Sequence, residues 1–234
     1  MHILIAPDSF KESLSALDAA KAIQRGLKKA LPNATFDLMP IGDGGEGTLE
    51  TLTDGLHLRR DSHIVTGALG QPVEAHYATN GQLAVFEMAD ICGLEKVPLD
   101  KRNPLTLTTK GVGEMIGHLV DLGTKEIMIG VGGSSTNDGG IGMAAGLGYR
   151  FFDESGQEVA AVGDNLGNIT TISYEDYHWD LSQVELTIIT DVTNPLCGPN
   201  GATYVFGGQK GLANEKFASV DKDMEQFYQS FFPV

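Results

Sequence analysis

Short apolar runs, each closed by a polar turn rich in glycine or proline and followed by apolar positions at helical spacing, set the rhythm of this chain. Residues 3–6 read as a buried strand closed by Pro7-Asp8-Ser9-Phe10-Lys11. Ser15, with Asp18 three places on, resembles a helix-capping pair, and Leu17, Ala20, Ile23, Leu27 and Leu31 recur at helical spacing before Pro32-Asn33. Residues 36–39 form a second candidate strand, ending in Pro40-Ile41-Gly42-Asp43-Gly44-Gly45-Glu46-Gly47-Thr48, after which Leu49, Leu52 and Leu56 suggest a helix. This strand, turn and helix alternation is the signature of α/β packing.

The texture changes at residues 62–90, where residues 64–67, 73–77 and 83–88 read as short strands with a hairpin signal at Asn80-Gly81. A second domain containing antiparallel strands is expected to begin here. Thr108 or Thr109 can cap a helix through Val112, Met115, Ile116, Leu119 and Val120, stopping near Gly123. Residues 127–129 form a strand feeding the turn Gly130-Val131-Gly132-Gly133-Ser134-Ser135-Thr136-Asn137-Asp138-Gly139-Gly140, and a helix over residues 141–147 leaves it. Residues 149–152 and 184–189 are further strands, and residues 213–232 carry an amphipathic helical pattern whose acidic positions Asp221, Asp223 and Glu225 read as a solvated face.

Composition bounds the partners. Sixteen Lys plus Arg against 31 Asp plus Glu leave a formal charge of -15, which makes nucleic acid and anionic membranes poor partners. An anionic ligand would then depend on backbone N–H groups, a few lysines and Mg²⁺. The 30 glycines, nearly twice the usual fraction, imply many tight turns. Two cysteines, Cys92 and Cys197, provide neither a disulfide framework nor a thiolate metal cluster. With no signal-peptide pattern at the start and no apolar stretch of spanning length, a soluble cytoplasmic protein is the expectation.

Candidate chemistry gathers in the turns. A glycine-rich turn that leaves a strand and opens a helix offers N–H groups to an anion, although such glycines also serve plain tight crossovers. Asp8, Asp43 and Asp191 each follow an apolar run, and Asp138 sits in the glycine-rich turn. Ligands of open α/β sheets collect at the carboxyl ends of strands, so these carboxylates are candidates to hold Mg²⁺ or to orient and deprotonate an acceptor hydroxyl. For any one of them, a simple turn or helix cap is the competing reading. Lys11 and Lys210 are the best basic partners for a carboxylate or phosphate. No standard P-loop motif occurs.

Taken together, residues 5–11, Gly42-Asp43-Gly44-Gly45-Glu46-Gly47-Thr48, Glu87-Met88-Ala89, residues 132–140, Asp191-Val192-Thr193-Asn194-Pro195-Leu196 and Gln209-Lys210-Gly211 resemble, in order, the glycerate kinase family in its bacterial type-one branch. Ser135 stands where the family usually has alanine, and Gly208 where it usually has proline. The resemblance implies two unlike α/β domains flanking a cleft, one Rossmann-like with a mostly parallel sheet and one with a mixed sheet. Residues 1–62 would form the N-terminal part of the first, and residues 63–234 the second, returning toward the first near their end. It further implies that the family's C-terminal portion is missing here, leaving an exposed sheet edge that favours a homo-oligomer.

The implied activity is ATP-dependent, Mg²⁺-assisted phosphorylation of D-glycerate, with the type-one likeness favouring 2-phosphoglycerate. On that reading Asp191 is the candidate base and Asp43 the second choice, while Lys11 holds the glycerate carboxylate or the transferred phosphate. Asp8, Ser9, Gly132, Gly133, Ser134, Ser135, Thr136, Asn137, Asn194 and Lys210 line the substrate and phosphate site, and Asp138 or Asp43 holds Mg²⁺. Two other classes stay open: a phosphosugar lyase or hydrolase, and an inactive or assembly-dependent binding module.

Overall fold

In a computed structural model, which describes every residue except Ser9, Lys11, Glu12, Asp43, Glu46, His178, Pro233 and Val234, the first unit is a parallel pair of strands, β1 (His2–Ile5) and β2 (Thr35–Leu38). Helix α1 (Ala16–Ala30) connects them. Its start is set by Ser15, whose hydroxyl accepts the N–H of Asp18, as the sequence pattern predicts.

Helix α2 (Thr48–Gly55) leaves this pair and packs on a five-stranded sheet, where Leu49 and Leu52 meet Ala78 and Val85. That sheet has the order β10-β6-β5-β4-β3, built from β3 (Arg59–Thr66), β4 (Pro72–Thr79), β5 (Leu83–Glu87), β6 (Glu126–Gly130) and β10 (Glu185–Ile189). Strands β5, β6 and β10 run parallel, whereas β3 and β4 are antiparallel additions. The mixed sheet expected from the change of texture after residue 62 is therefore present. Strand β3 starts earlier than its apolar run, because Arg59 to Ser62 pair along an exposed edge that needs no hydrophobic alternation.

The opposite face carries the main core. Helix α4 (Lys110–Asp121) sets Val112, Met115, Ile116 and Leu119 against Phe86, Ile127 and Ile129. Gly113 and Gly146 let α4 touch α5 (Ile141–Gly146) backbone to backbone, since a Cβ on Gly113 would lie 1.9 Å from the Met143 carbonyl oxygen. Two short helices, α3 (Met88–Cys92) and α6 (Ala202–Phe206), have no counterpart in the sequence expectations, since five residues are too few to show a helical period.

A third layer packs beyond α5. There β7 (Arg150–Phe152) lies between β8 (Glu158–Val159) and β9 (Thr171–Ser173), both antiparallel to it, and α7 (Phe217–Phe231) closes the cluster with Met224 and Phe227. Asp221 on α7 corrects the expectation of a solvated acidic face. It is buried, and both carboxylate oxygens accept the N–H of Gly198, at 2.9 and 3.2 Å. Pairing with a loop amide offsets the desolvation that had argued for an outward position. Among the described residues no helix is long and apolar enough to cross a membrane.

Candidate active site

The carboxyl ends of the three parallel strands form one row. Glu87, Gly130 and Ile189 are register partners across β5, β6 and β10; β6 and β10 leave the row into loops, whereas β5 runs directly into α3. The turn after β2 lies against the same row. The Gly44 carbonyl accepts the N–H of Gly132 at 3.0 Å, and a Cβ on Gly44 would sit 2.3 Å from the Ile189 carbonyl oxygen. A Cβ on Gly132 would fall 2.8 Å from the Gly45 Cα. Glycine at these positions is thus a condition for the loops of β2, β6 and β10 to meet.

The turn at 130–140 divides into an outer and an inner half. Gly133 is exposed and Gly132 and Ser134 are half-buried, whereas residues 135–138 are buried. Ser135 turns inward: its N–H and its hydroxyl both donate to the Cys92 carbonyl, at 2.9 and 2.8 Å. The Asn137 amide nitrogen donates to the Thr203 hydroxyl, and its backbone N–H donates to the Pro104 carbonyl.

Asp138 anchors the inner half. One carboxylate oxygen accepts the N–H and hydroxyl of Thr109, at 2.9 and 2.7 Å, and the other accepts the N–H of Gly140 at 3.0 Å. The Thr109 hydroxyl in turn accepts the N–H of Met143. Turn, start of α4 and start of α5 are tied at a single carboxylate. Burial pushes the pKa of Asp138 upward, against the downward pull of its Thr109 and Gly140 bonds.

Lys210 reaches the turn from the short helical turn Gly208–Lys210, and its ammonium donates to the Ser134 hydroxyl at 2.9 Å and the Thr136 carbonyl at 2.8 Å. Burial pulls the pKa of Lys210 down to about 8, with Cys92 and Asp138 pulling it back up. Beneath it, burial and then Asp138 push the Cys92 thiol up to about 12. The positive charge of this corner therefore sits on Lys210, directly behind Ser134.

Other candidates are more open. Asp191 lies two residues beyond β10 on an exposed loop that adjoins the turn, since the N–H of Val131 donates to the Ile189 carbonyl. Asn194, also exposed, donates its amide to the Asn200 carbonyl and so shapes its own loop. Asp8 is half-buried beyond β1 and has interaction partners of its own. Ser9, Lys11 and Asp43 lie outside the described residues.

Sequence reasoning passed over several residues that build this corner. Thr109, expected only as a helix cap, and Cys92 supply internal partners, and Tyr228 donates its hydroxyl to the Gly139 carbonyl at 2.6 Å from far along the chain. Glu87 carries a signal of its own, an acidic residue closing an apolar run like Asp8 and Asp191.

Comparison with known proteins gives this geometry a lineage. The profile of the Glycerate kinase family matches residues 3–232. A glycerate kinase of Neisseria meningitidis serogroup B is 48% identical over 234 residues, covering 100% of this chain and 63% of that protein. The glycerate 2-kinase of Escherichia coli K12 is 40% identical, covering 97% of this chain and 60% of its own length. A crystal structure of a Salmonella typhimurium LT2 protein, assigned as glycerate kinase 2, superposes with a TM-score of 0.85 at 43% identity, covering 98% of this chain and 62% of that one. The chain spans about three-fifths of the length of these relatives. Every described residue of the strand-end row and its loops falls within the matched region, and the chain belongs to the glycerate kinase family.

Proposed function

We propose that this chain carries the substrate and phosphate-binding part of an ATP-dependent glycerate kinase that transfers a phosphoryl group to the 2-hydroxyl of D-glycerate. The observation that carries the reading is the meeting of three loops at the ends of parallel strands, with one buried cation behind them. Relatives named glycerate kinase and glycerate 2-kinase support the substrate class.

An anion would be received at the outer half of the turn. Among the described residues the N–H groups of Gly132, Ser135 and Asn137 are already engaged and Thr136 is buried, which leaves Gly133 and Ser134 as receiving positions. Lys210 supplies charge to them through the Ser134 hydroxyl. On this reading Ser135, Thr136 and Asn137 hold the shape of the turn, and Asp8, Ser9, Lys11 and Asn194 belong to the glycerate side.

Asp191, exposed on its loop, is the assigned base, with Asp43 as second choice. Among the described residues no group of three His, Cys, Asp or Glu side chains could cage a metal. Magnesium travelling with nucleotide phosphates takes only one or two protein carboxylates, and the strand-end loops can offer that. Asp138 has both oxygens engaged, so the metal role falls more readily to Asp43. When bound, the ion would neutralise charge on the transferring phosphoryl. ATP-dependent phosphorylation of D-glycerate by wild type and Asp191→Asn tests the base: a loss of orders of magnitude is expected, and equal rates reject it.

One observation favours an assembly-dependent form of the same activity. Parallel sheets are normally covered on both faces, yet β1 and β2 stand as a pair with Leu4 56% exposed and, just beyond β2, Met39 58% and Ile41 49% exposed. We read the segment before β3 as the N-terminal part of a Rossmann-like domain that further polypeptide completes, with α2 bridging to the mixed-sheet domain that opens at Arg59. Binding of glycerate or nucleotide without phosphoryl transfer, measured by titration calorimetry beside an ADP-release assay, would select this form.

A further inference from the structure

We propose that Glu87 is a positioning residue that fastens the acidic turn at 42–48 to the strand-end row. Helix α2 is preceded at its cap position by Gly47, which has a φ of 93° and no side chain with which to cap the helix. The missing cap arrives from another element: a carboxylate oxygen of Glu87, the last residue of β5, accepts the N–H of Leu49 at 2.6 Å. A helix N-terminus leaves its first N–H groups without internal partners and favours negative charge, so a buried carboxylate on the central strand meets both needs at once.

The bond is the first link of a chain. Thr48, 1% exposed, accepts the N–H of Gly44 at 2.9 Å on its hydroxyl, and the Gly44 carbonyl accepts the N–H of Gly132. Glu87 is also the register partner of Gly130, and a Cβ on Gly130 would lie 3.6 Å from the Glu87 Cγ and 2.7 Å from the Gly44 oxygen. One carboxylate thus sets the height of the first turn of α2, hence that of Gly44, and hence the fit of the 42–48 turn against the outer half of the glycine-rich turn. The functional weight of the inference rests on the kinase reading, whereas the mechanical claim does not.

The experiment pairs hydrogen exchange with turnover in the full chain, for Glu87→Ala, Glu87→Gln and Thr48→Val. Loss of a buried hydrogen bond is expected to speed exchange at Gly44, Leu49 and Gly132 by about tenfold or more in Glu87→Ala, with α4 and β4 unchanged. Glutamine keeps an acceptor oxygen and should restore the wild-type pattern. Thr48→Val, which spares Glu87, should speed Gly44 and Gly132 while leaving Leu49 protected, and it decides the matter if Glu87→Ala does not fold. With ATP and D-glycerate, Glu87→Ala should lower kcat by about a hundredfold with KM little changed, the scale of a misplaced reacting group, and Glu87→Gln should recover most of it. Unchanged exchange at Gly44 in either Glu87→Ala or Thr48→Val overturns the proposal, as does glutamine proving as damaging as alanine in both readouts. Absence of phosphorylation by wild type would count against the kinase reading alone and leave the exchange result to judge Glu87.

Discussion

Replacing Lys210 with methionine tests the charge behind the glycine-rich turn. The ammonium is partly buried and held by the Ser134 hydroxyl and the Thr136 carbonyl, and burial draws its pKa from the ordinary 10.5 to about 8. Unfolding returns the group to water and to its ordinary proton affinity. Below pH 8 both states carry the proton, and the folded state bears the whole cost of the buried charge. Between about pH 8 and 10.5 the folded state has shed a proton that the unfolded state keeps, so stability rises with pH. At about 1.4 kcal/mol per pKa unit, the full rise is about 3 kcal/mol. Other lysines and tyrosines titrate in the same range, so the measured quantity is the difference between wild type and Lys210→Met in urea unfolding at fixed salt, from pH 7 to 10.5. Cys92, pushed up to about 12, stays neutral across this window. Wild type should gain about 3 kcal/mol on the variant over the window. Curves that stay parallel within about 0.5 kcal/mol would show that the ammonium is not held out of water and would refute the reasoning. If the charge also attracts a phosphate, anion binding at the turn should weaken in step above pH 8.

Three further substitutions probe the same corner. Gly44→Ala places a Cβ 2.3 Å from the Ile189 carbonyl oxygen at a φ of 93°, and should cost about 2–4 kcal/mol in chemical unfolding, mainly by parting the 42–48 turn from β10. Asp138→Ala strips the acceptor from Thr109 and Gly140, so a loss of about 3 kcal/mol is expected, and a variant as stable as wild type would deny the carboxylate its bracing role. Tyr228→Phe removes one hydrogen bond to the Gly139 carbonyl and should cost about 1 kcal/mol by thermal melt, with little change in α4 protection.

How much of this corner could be read from the chain follows from what each residue answers to. Strands β1, β2, β5, β6 and β10 and helices α1 and α4 were legible because burial imposes a period on consecutive residues. Ser15 was legible because a cap bonds its own helix three residues on. The meeting of the turns after β2, β6 and β10 was legible as well, through glycine at close approaches. What escaped depends on partners far away in sequence. The edge residues at the start of β3 pair without hydrophobic alternation, and Asp221 is buried only because Gly198 comes to meet it. The division of the 130–140 turn was likewise invisible, since Ser134 and Ser135 are neighbours of one residue type, yet one faces Lys210 and the other Cys92.

That division changes what the serine-rich turn can do. A hydroxyl already donating to the Cys92 carbonyl cannot donate to a phosphate, and the four inner residues are buried. On the proposed reading, ligand chemistry is thereby concentrated on Gly133 and Ser134, where a charged lysine polarises a hydroxyl beside an exposed glycine. Serine in place of the family's usual alanine at 135 then adds a bond to the scaffold and none to the ligand, so Ser135→Ala should lower stability by about 1 kcal/mol while leaving anion affinity where it was. Ser134→Ala should do the reverse, because its hydroxyl is the one between the buried charge and the open face of the turn. Equal effects of the two substitutions on anion affinity, measured by calorimetry, would mean that the two halves act as one site and that the inward bond of Ser135 is broken when ligand arrives.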